Sequence, residues 1–151
     1  MDVQVLANIE AAPQHVFLLL TKNPERLQSV NLLLQRSAHL WVGTSLSNDN
    51  WQRLQALADC KAHHRFLSFE PLRTRIRVAW AALHGIDWVI IGGQSRPWIH
   101  PDPAWIDELI RQAHEYDIPV LVKRNAGYPN GPQEWPPSIL EHLQPKVGGD
   151  S

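Results

Sequence analysis

Five short polar segments each follow an apolar run, and together they carry the side chains best suited to chemistry. They read Thr21-Lys22-Asn23, Ser45-Leu46-Ser47-Asn48, Ser68-Phe69-Glu70, Gly92-Gly93-Gln94-Ser95-Arg96 and Lys123-Arg124-Asn125. Lys22 and Lys123 offer ammonium groups, Glu70 a carboxylate, and Thr21 and Ser45 hydroxyls. Gly92-Gly93 would let a ligand approach the backbone, or simply make a turn; without the full dinucleotide fingerprint the pair is not diagnostic. This set suits an anionic or hydroxylated ligand. Lys22 and Glu70 are the candidate catalytic groups, with Glu70 as acid or base. The competing reading makes each half of a structural ion pair. Arg124 reads as a solvated surface charge. No nucleophile elbow, P-loop or paired-carboxylate signature occurs.

The remaining reactive residue types say less. Eight histidines are scattered without H-E-x-x-H or comparable spacing, so no metal site is expected from them. Cys60 is the lone cysteine. It rules out an internal disulfide and any multi-cysteine zinc or iron–sulfur site made by this chain alone. At the end of a helical stretch, with no histidine on its face, it reads as an inert thiol. Of seven tryptophans, Trp41, Trp51, Trp80, Trp88 and Trp105 fall at strand and helix-face positions and are expected in the core. Trp98 and Trp135 fall in loops and could meet a ligand or a partner, or seal an edge.

The polar segments need elements to bring them together, and the pattern supplies a regular set. Val3, Val5, Leu6 and Ile9 suggest a short opening helix. Strands are expected at His15–Thr21, Leu40–Ser45, His64–Phe69, Ile86–Gly92 and Ile118–Lys123, compact apolar runs of the kind buried on both faces. Helices are expected between them. Asn23-Pro24 supplies an N-cap and a first-turn proline, followed by Leu27, Val30, Asn31 and Leu34. Asn48–Asn50 offers caps for a helix through Trp51, Leu54, Leu57 and Ala58. Residues 75–84 suggest a helix packing Ile76, Ala79, Trp80 and Leu83, and Asp102-Pro103 opens another through Trp105, Leu109 and Ala113. Glycines and prolines dominate beyond Asn125, with one short helix around Ser138–Leu143 and a frayed end at Gly148–Ser151.

Strands alternating with helices imply right-handed crossovers and a parallel sheet. The expected fold class is α/β, with about five parallel strands. Both an open doubly wound sheet and a partial β/α barrel of the TIM type satisfy the pattern; a complete eight-stranded barrel takes roughly 250 residues, more than the 151 here. Either way the five strand ends converge on one mouth. The chain divides into residues 1–126, the βα part, and residues 127–151, a Pro/Gly-rich extension of the same domain. A net charge of −1, with 44% hydrophobic and 19% charged residues, argues against disorder and against a surface that coats nucleic acid. No apolar run spans a membrane and no signal peptide is present, so a cytoplasmic location is expected.

Taken in order, these segments resemble a phage and bacterial family of radical-SAM-like proteins of unknown function with a three-cysteine motif. The matching stretches are Pro13–Arg26, Leu40–Asn48, Arg65–Leu72, Ile86–Ser95, Trp105–Pro119 and Val120–Lys123, with TK-x-PER and FLS-x-EPL the most distinctive. The resemblance covers roughly residues 5–125. It implies a partial radical-SAM-type β/α barrel in which Thr21, Lys22, Ser45, Glu70, Gly92, Gly93 and Lys123 line the mouth toward cofactor and substrate. In the full-length family the cofactors implied are S-adenosylmethionine and a [4Fe–4S] cluster held by three cysteines, which lie ahead of the first segment matched here. Cys60 does not belong to such a motif. Gln94 stands where the family usually has glutamate, and Lys123-Arg124-Asn125 replaces lysine followed by glutamine and tryptophan.

The resulting expectation is a truncated or split family member, or a decayed prophage copy, that binds no cofactor alone and is catalytically silent. An upstream polypeptide carrying the three-cysteine segment is the expected partner, with self-association the other choice. The alternative function is a non-redox binding module using the polar mouth or the exposed barrel edges. The sequence carries no signal for or against a nucleic-acid partner of another kind.

Overall fold

The computed structural model describes residues 3–47, 51–78 and 85–144. Helix α1 (Val3–Glu10) leads into strand β1 (Phe17–Thr21). A 3-10 helix (Pro24–Val30) runs on into the single turn α2 (Asn31–Leu34), followed by β2 (Leu40–Ser45), α3 (Trp51–Asp59) and β3 (His64–Phe69). Then come β4 (Trp88–Ile91), a two-residue pair β5 (Gln94–Ser95) and β6 (Trp98–Ile99), α4 (Pro103–His114), β7 (Val120–Val122) and α5 (Pro137–Leu143).

Local chemistry accounts for the regular elements. In α4 the Asp102 carboxylate accepts from the Ala104 N–H at 2.8 Å and Pro103 occupies the first turn, which supplies a partner for a helix-start donor that has none of its own. Its buried Ile106, Leu109 and Ala113 form one stripe, while Arg111 and His114 lie in the last turn, the favourable end for cations. Strand β2 is buried at every position, as its unbroken apolar run requires of a parallel strand covered on both faces.

The main sheet has five parallel strands in the order β1-β2-β3-β4-β7. Neighbours in the sheet are neighbours along the chain, with no reversal of direction. A doubly wound sheet reverses at a switch point; consecutive order is common to a β/α barrel and to an open sheet wound in one direction. The register pairs Thr21 with Thr44, Ser45 with Ser68, and Ile91 with both Phe69 and Val122. All five strands therefore end on the same side.

The pleat sends alternate residues to two different cores. One face carries Val42, Leu67, Phe69, Val89, Ile91, Val120 and Val122, joined in one cluster with Leu6, Ile9, Leu27, Leu57, Ile106 and Leu109 of the helices. The other face carries Trp41, Phe66, Trp88 and Ile90, covered by Ile139 of α5. Gly43 belongs here because a Cβ at that position would lie 2.6 Å from the Phe66 ring. The chain after β7 reaches this second face by running antiparallel along the β7 edge. The Val122 N–H donates to the Pro132 carbonyl at 2.8 Å, and the Glu134 N–H to the Val120 carbonyl at 3.0 Å. Trp88 Nε1 donates to the Glu134 carbonyl at 3.0 Å, and Trp135 packs with its ring centre 5.0 Å from that of Trp88.

The structure departs from expectation in four places. Residues 24–30 form a 3-10 helix, and the Asn23 side chain caps nothing; the Asn23 N–H instead donates to Thr21 Oγ1, holding the entry in another geometry. Residues 75–78 are irregular, although Ile76 and Val78 are buried; the rest of the helix expected there lies outside the described residues, as do Asn48–Asn50 and Gly148–Ser151. The β5–β6 hairpin was not expected. Strands β1, β4 and β7 are each shorter than the runs expected at His15–Thr21, Ile86–Gly92 and Ile118–Lys123. Trp41 and Trp88 are buried and Trp105 is half-buried, while Trp98 and Trp135 are exposed.

Candidate functional site

The carboxyl ends of β3, β4 and β7 converge on one hydrogen-bonded network. Glu70 follows β3 directly, and its Oε2 accepts from Lys123 Nζ at 2.6 Å across the sheet. Its other oxygen accepts from Asn125 Nδ2 at 2.9 Å. The same amide group donates to the Gly93 carbonyl at 2.9 Å and to Ser95 Oγ at 3.1 Å, while Asn125 Oδ1 accepts from the Gly93 N–H at 3.3 Å. His100 joins through a 3.2 Å contact from Nδ1 to the Asn125 carbonyl. Asn125 is thus the hub tying the loops after β4 and β7 to Glu70.

The glycine pair is needed for this closure. A Cβ at Gly92 would lie 2.8 Å from the Glu70 carboxyl carbon, and one at Gly93 only 2.4 Å from the Asn125 carbonyl oxygen. Gly127 adds a left-handed turn, φ +62°, that seats its backbone against the His100 ring. Beside the network lies an open cavity of about 480 Å³, bounded by Arg73, Gln94, Ile99, His100 and Trp105. Arg73 Nη2 donates to Gln94 Oε1 at 2.5 Å, and among the described residues Arg73 has no carboxylate partner. The exposed Trp98 of the hairpin stands next to His100, their ring centres 6.2 Å apart.

Of the residues expected at the mouth, Glu70, Gly92, Gly93 and Lys123 come together. Thr21, Lys22 and Ser45 lie at the same end of the sheet but outside this network; Thr21 and Ser45 are held by local contacts. The Thr21 carbonyl accepts from Thr44 Oγ1 at 2.8 Å, and Ser45 is buried, with its carbonyl 3.3 Å from Arg53 Nη1. Lys22 is exposed. Asn125, Ser95 and His100 carry more of the network than their sequence signal indicated; for Asn125 that signal was its place two residues after the lysine that ends β7.

Both Glu70 oxygens are already engaged, whereas the half-exposed Lys123 ammonium and the Ser95 hydroxyl retain hydrogen-bonding capacity; of the residues in the network and its hairpin, Gln94, Ile99 and His100 are the ones that line the neighbouring cavity. No group of three His, Cys, Asp or Glu suited to a metal occurs among the described residues. Cys60 is buried at the end of α3, where its carbonyl accepts from Arg65 at the start of β3. It therefore sits at the opposite end of the sheet from Glu70.

Two further polar groupings mark that amino end. His64 stacks on Trp41 with ring centres 4.4 Å apart, and its Nδ1 lies 3.9 Å from Asp87. Burial lowers the His64 pKa, with Asp87 pulling partly the other way. Glu134 accepts from the Val120 N–H at 2.7 Å and from His114 at 2.9 Å, fixing the segment after β7 to the sheet.

A family model described as "Protein of unknown function (DUF5131)" matches residues 1–147, so this chain belongs to that family. No curated protein and no solved structure gives a significant match.

Proposed function

We propose that this chain is the ligand-facing part of a radical-SAM-type β/α barrel. It binds a polar small molecule at the carboxyl ends of its strands and performs no radical chemistry with its own thiol. The observation that supports this reading is the network joining Glu70, Lys123, Asn125, Gly93 and Ser95 beside an open cavity. Ligand sites of parallel βα folds lie at this end of the strands. S-adenosylmethionine, implied by the resemblance, is the first ligand to test. Lys123 would meet its carboxylate, Ser95 and Gln94 its hydroxyl groups, and the glycine pair would leave room for close approach.

An iron–sulfur cluster does not fit this donor set. Such a cluster takes several thiolates, and the one thiol present is buried at the far end of the sheet. In this reading cluster thiolates come from a separate segment, and the chain's own residues bind and orient.

Calorimetric titration with S-adenosylmethionine tests the mouth. Saturable binding is expected, weakened about tenfold or more, roughly 1.4 kcal/mol, by Lys123→Ala and by Asn125→Ala. Absence of binding, or equal affinity in both variants, refutes the site. A stable cluster and S-adenosylmethionine cleavage after reconstitution of the chain with iron and sulfide would refute the claim of silence.

A further inference from the structure

We infer that the cavity beside the Glu70 network is an oxyanion subsite. Arg73 holds a carboxylate or phosphate group there, and Trp105 flanks the flat apolar body that carries it. The inference rests on the reading of this end of the sheet as a ligand site, and it names the class of molecule the cavity takes. Arg73 is the Lys or Arg side chain that borders this cavity. Lys123 is paired with Glu70, and Arg75 with Glu108. Arg73 has no carboxylate within ion-pair distance among the described residues. One of its five N–H donors goes to Gln94, which leaves the others for a ligand.

The guanidinium is oriented before any ligand arrives. Gln94 Oε1 accepts from Arg73, while Gln94 Nε2 donates to the Arg96 carbonyl at 3.3 Å, so both ends of that amide are committed. Gln94 itself is fixed in the β5–β6 hairpin, opposite Ile99. A planar fork held this way matches two oxygens of one carboxylate or phosphate, and orientation in advance lowers the cost of binding. His100 is fixed as well. A carbonyl only accepts, so the 3.2 Å contact with Asn125 puts a proton on Nδ1. Nε2 is then the ring nitrogen without a hydrogen-bond partner among the described residues.

The rest of the cavity says what carries the oxyanion. Leu72, Ile99 and the half-buried Trp105 give it apolar walls, and its volume is about 480 Å³, enough for a single ring with its substituent. Trp98, 68% exposed, stands beside His100 and adds a second aromatic surface. Asp102 is the carboxylate on the border, where it accepts from the Ala104 N–H. It repels an anion, which places the charged group of the ligand at Arg73.

Phenyl phosphate, benzoate, benzyl alcohol and inorganic phosphate, titrated into the full chain and followed by NMR, test the subsite. Phenyl phosphate and benzoate are expected to saturate and to shift the Trp105 indole N–H, identified by its loss in Trp105→Phe. The tighter of the two tells phosphate from carboxylate. Benzyl alcohol, without the charge, and inorganic phosphate, without the ring, should each bind about tenfold or more weakly. Arg73→Gln, folded by circular dichroism, should weaken both aromatic anions about tenfold or more. Arg36→Gln removes an exposed arginine outside the cavity and should leave them unchanged. No saturation with either anion overturns the inference, and so does parent-like affinity in Arg73→Gln. Equal weakening by the two arginine variants overturns it too, as a diffuse charge effect. The mouth fails separately: binding of phenyl phosphate without S-adenosylmethionine removes the mouth and keeps this subsite, and the reverse removes this subsite alone.

Discussion

Gly93 shows how little freedom the mouth has at single positions. The obstacles to a side chain there are two carbonyl oxygens, of Asn125 and Ile99, and backbone cannot step aside as a flexible side chain could. Gly93→Ala is expected to cost about 1–3 kcal/mol, read by urea denaturation, and to weaken ligand binding at the mouth in parallel. His64 makes a different prediction. Its folded pKa is lowered by burial, so below the unfolded value of about 6.5 the unfolded chain binds the proton more readily. Its stabilising contribution is therefore full above that pH and is lost as pH falls through the folded pKa. The denaturation midpoint should drop between about pH 7.5 and pH 5, and the drop should shrink in His64→Gln. Glu70, Gly92, Gly93 and Lys123 were legible in the sequence because each immediately ends or follows an apolar run. The role of Asn125 was not, since it depends on one amide group reaching from its own loop to two others at once.

Helix α5 is short, yet its one buried residue closes the aromatic centre of one face of the sheet. Ile139 is 2% exposed against Trp41, Phe66, Trp88 and Ile90. Ile139→Ala should cost about 2–5 kcal/mol in chemical denaturation and shift tryptophan emission to the red as Trp88 meets water. Strands β2 and β3 and helix α4 were legible, because β2 is buried throughout, β3 is buried over its last four residues, and a capped, striped helix leaves a strong pattern. The β5–β6 hairpin left none, since two residues per strand are too few for a period. Residues 24–30 carried the right apolar spacing and the right proline. Neither signal separates α from 3-10 geometry, and the Asn23 N–H goes to the Thr21 hydroxyl while the Asn23 side chain caps nothing.

At the scale of the molecule, periodicity identified five parallel strands but not their order, which depends on which strand meets which. The consecutive order puts β1 at one edge, with no strand on its outer side among the described residues. Leu20 is half-exposed there, so Leu20→Lys should leave monomer stability within about 0.5 kcal/mol of the parent in thermal denaturation. The closure of the other edge carries a consequence for synthesis. Residues 132–143, which line β7 and cover Trp41 and Trp88, leave the ribosome after all five strands. Until they emerge, the nascent sheet carries a wet tryptophan face and two sticky edges, the kind of surface that recruits chaperones. A nonsense codon near residue 130 would therefore yield a product for the proteases even though every strand of the main sheet and every residue of the Glu70 network had been made.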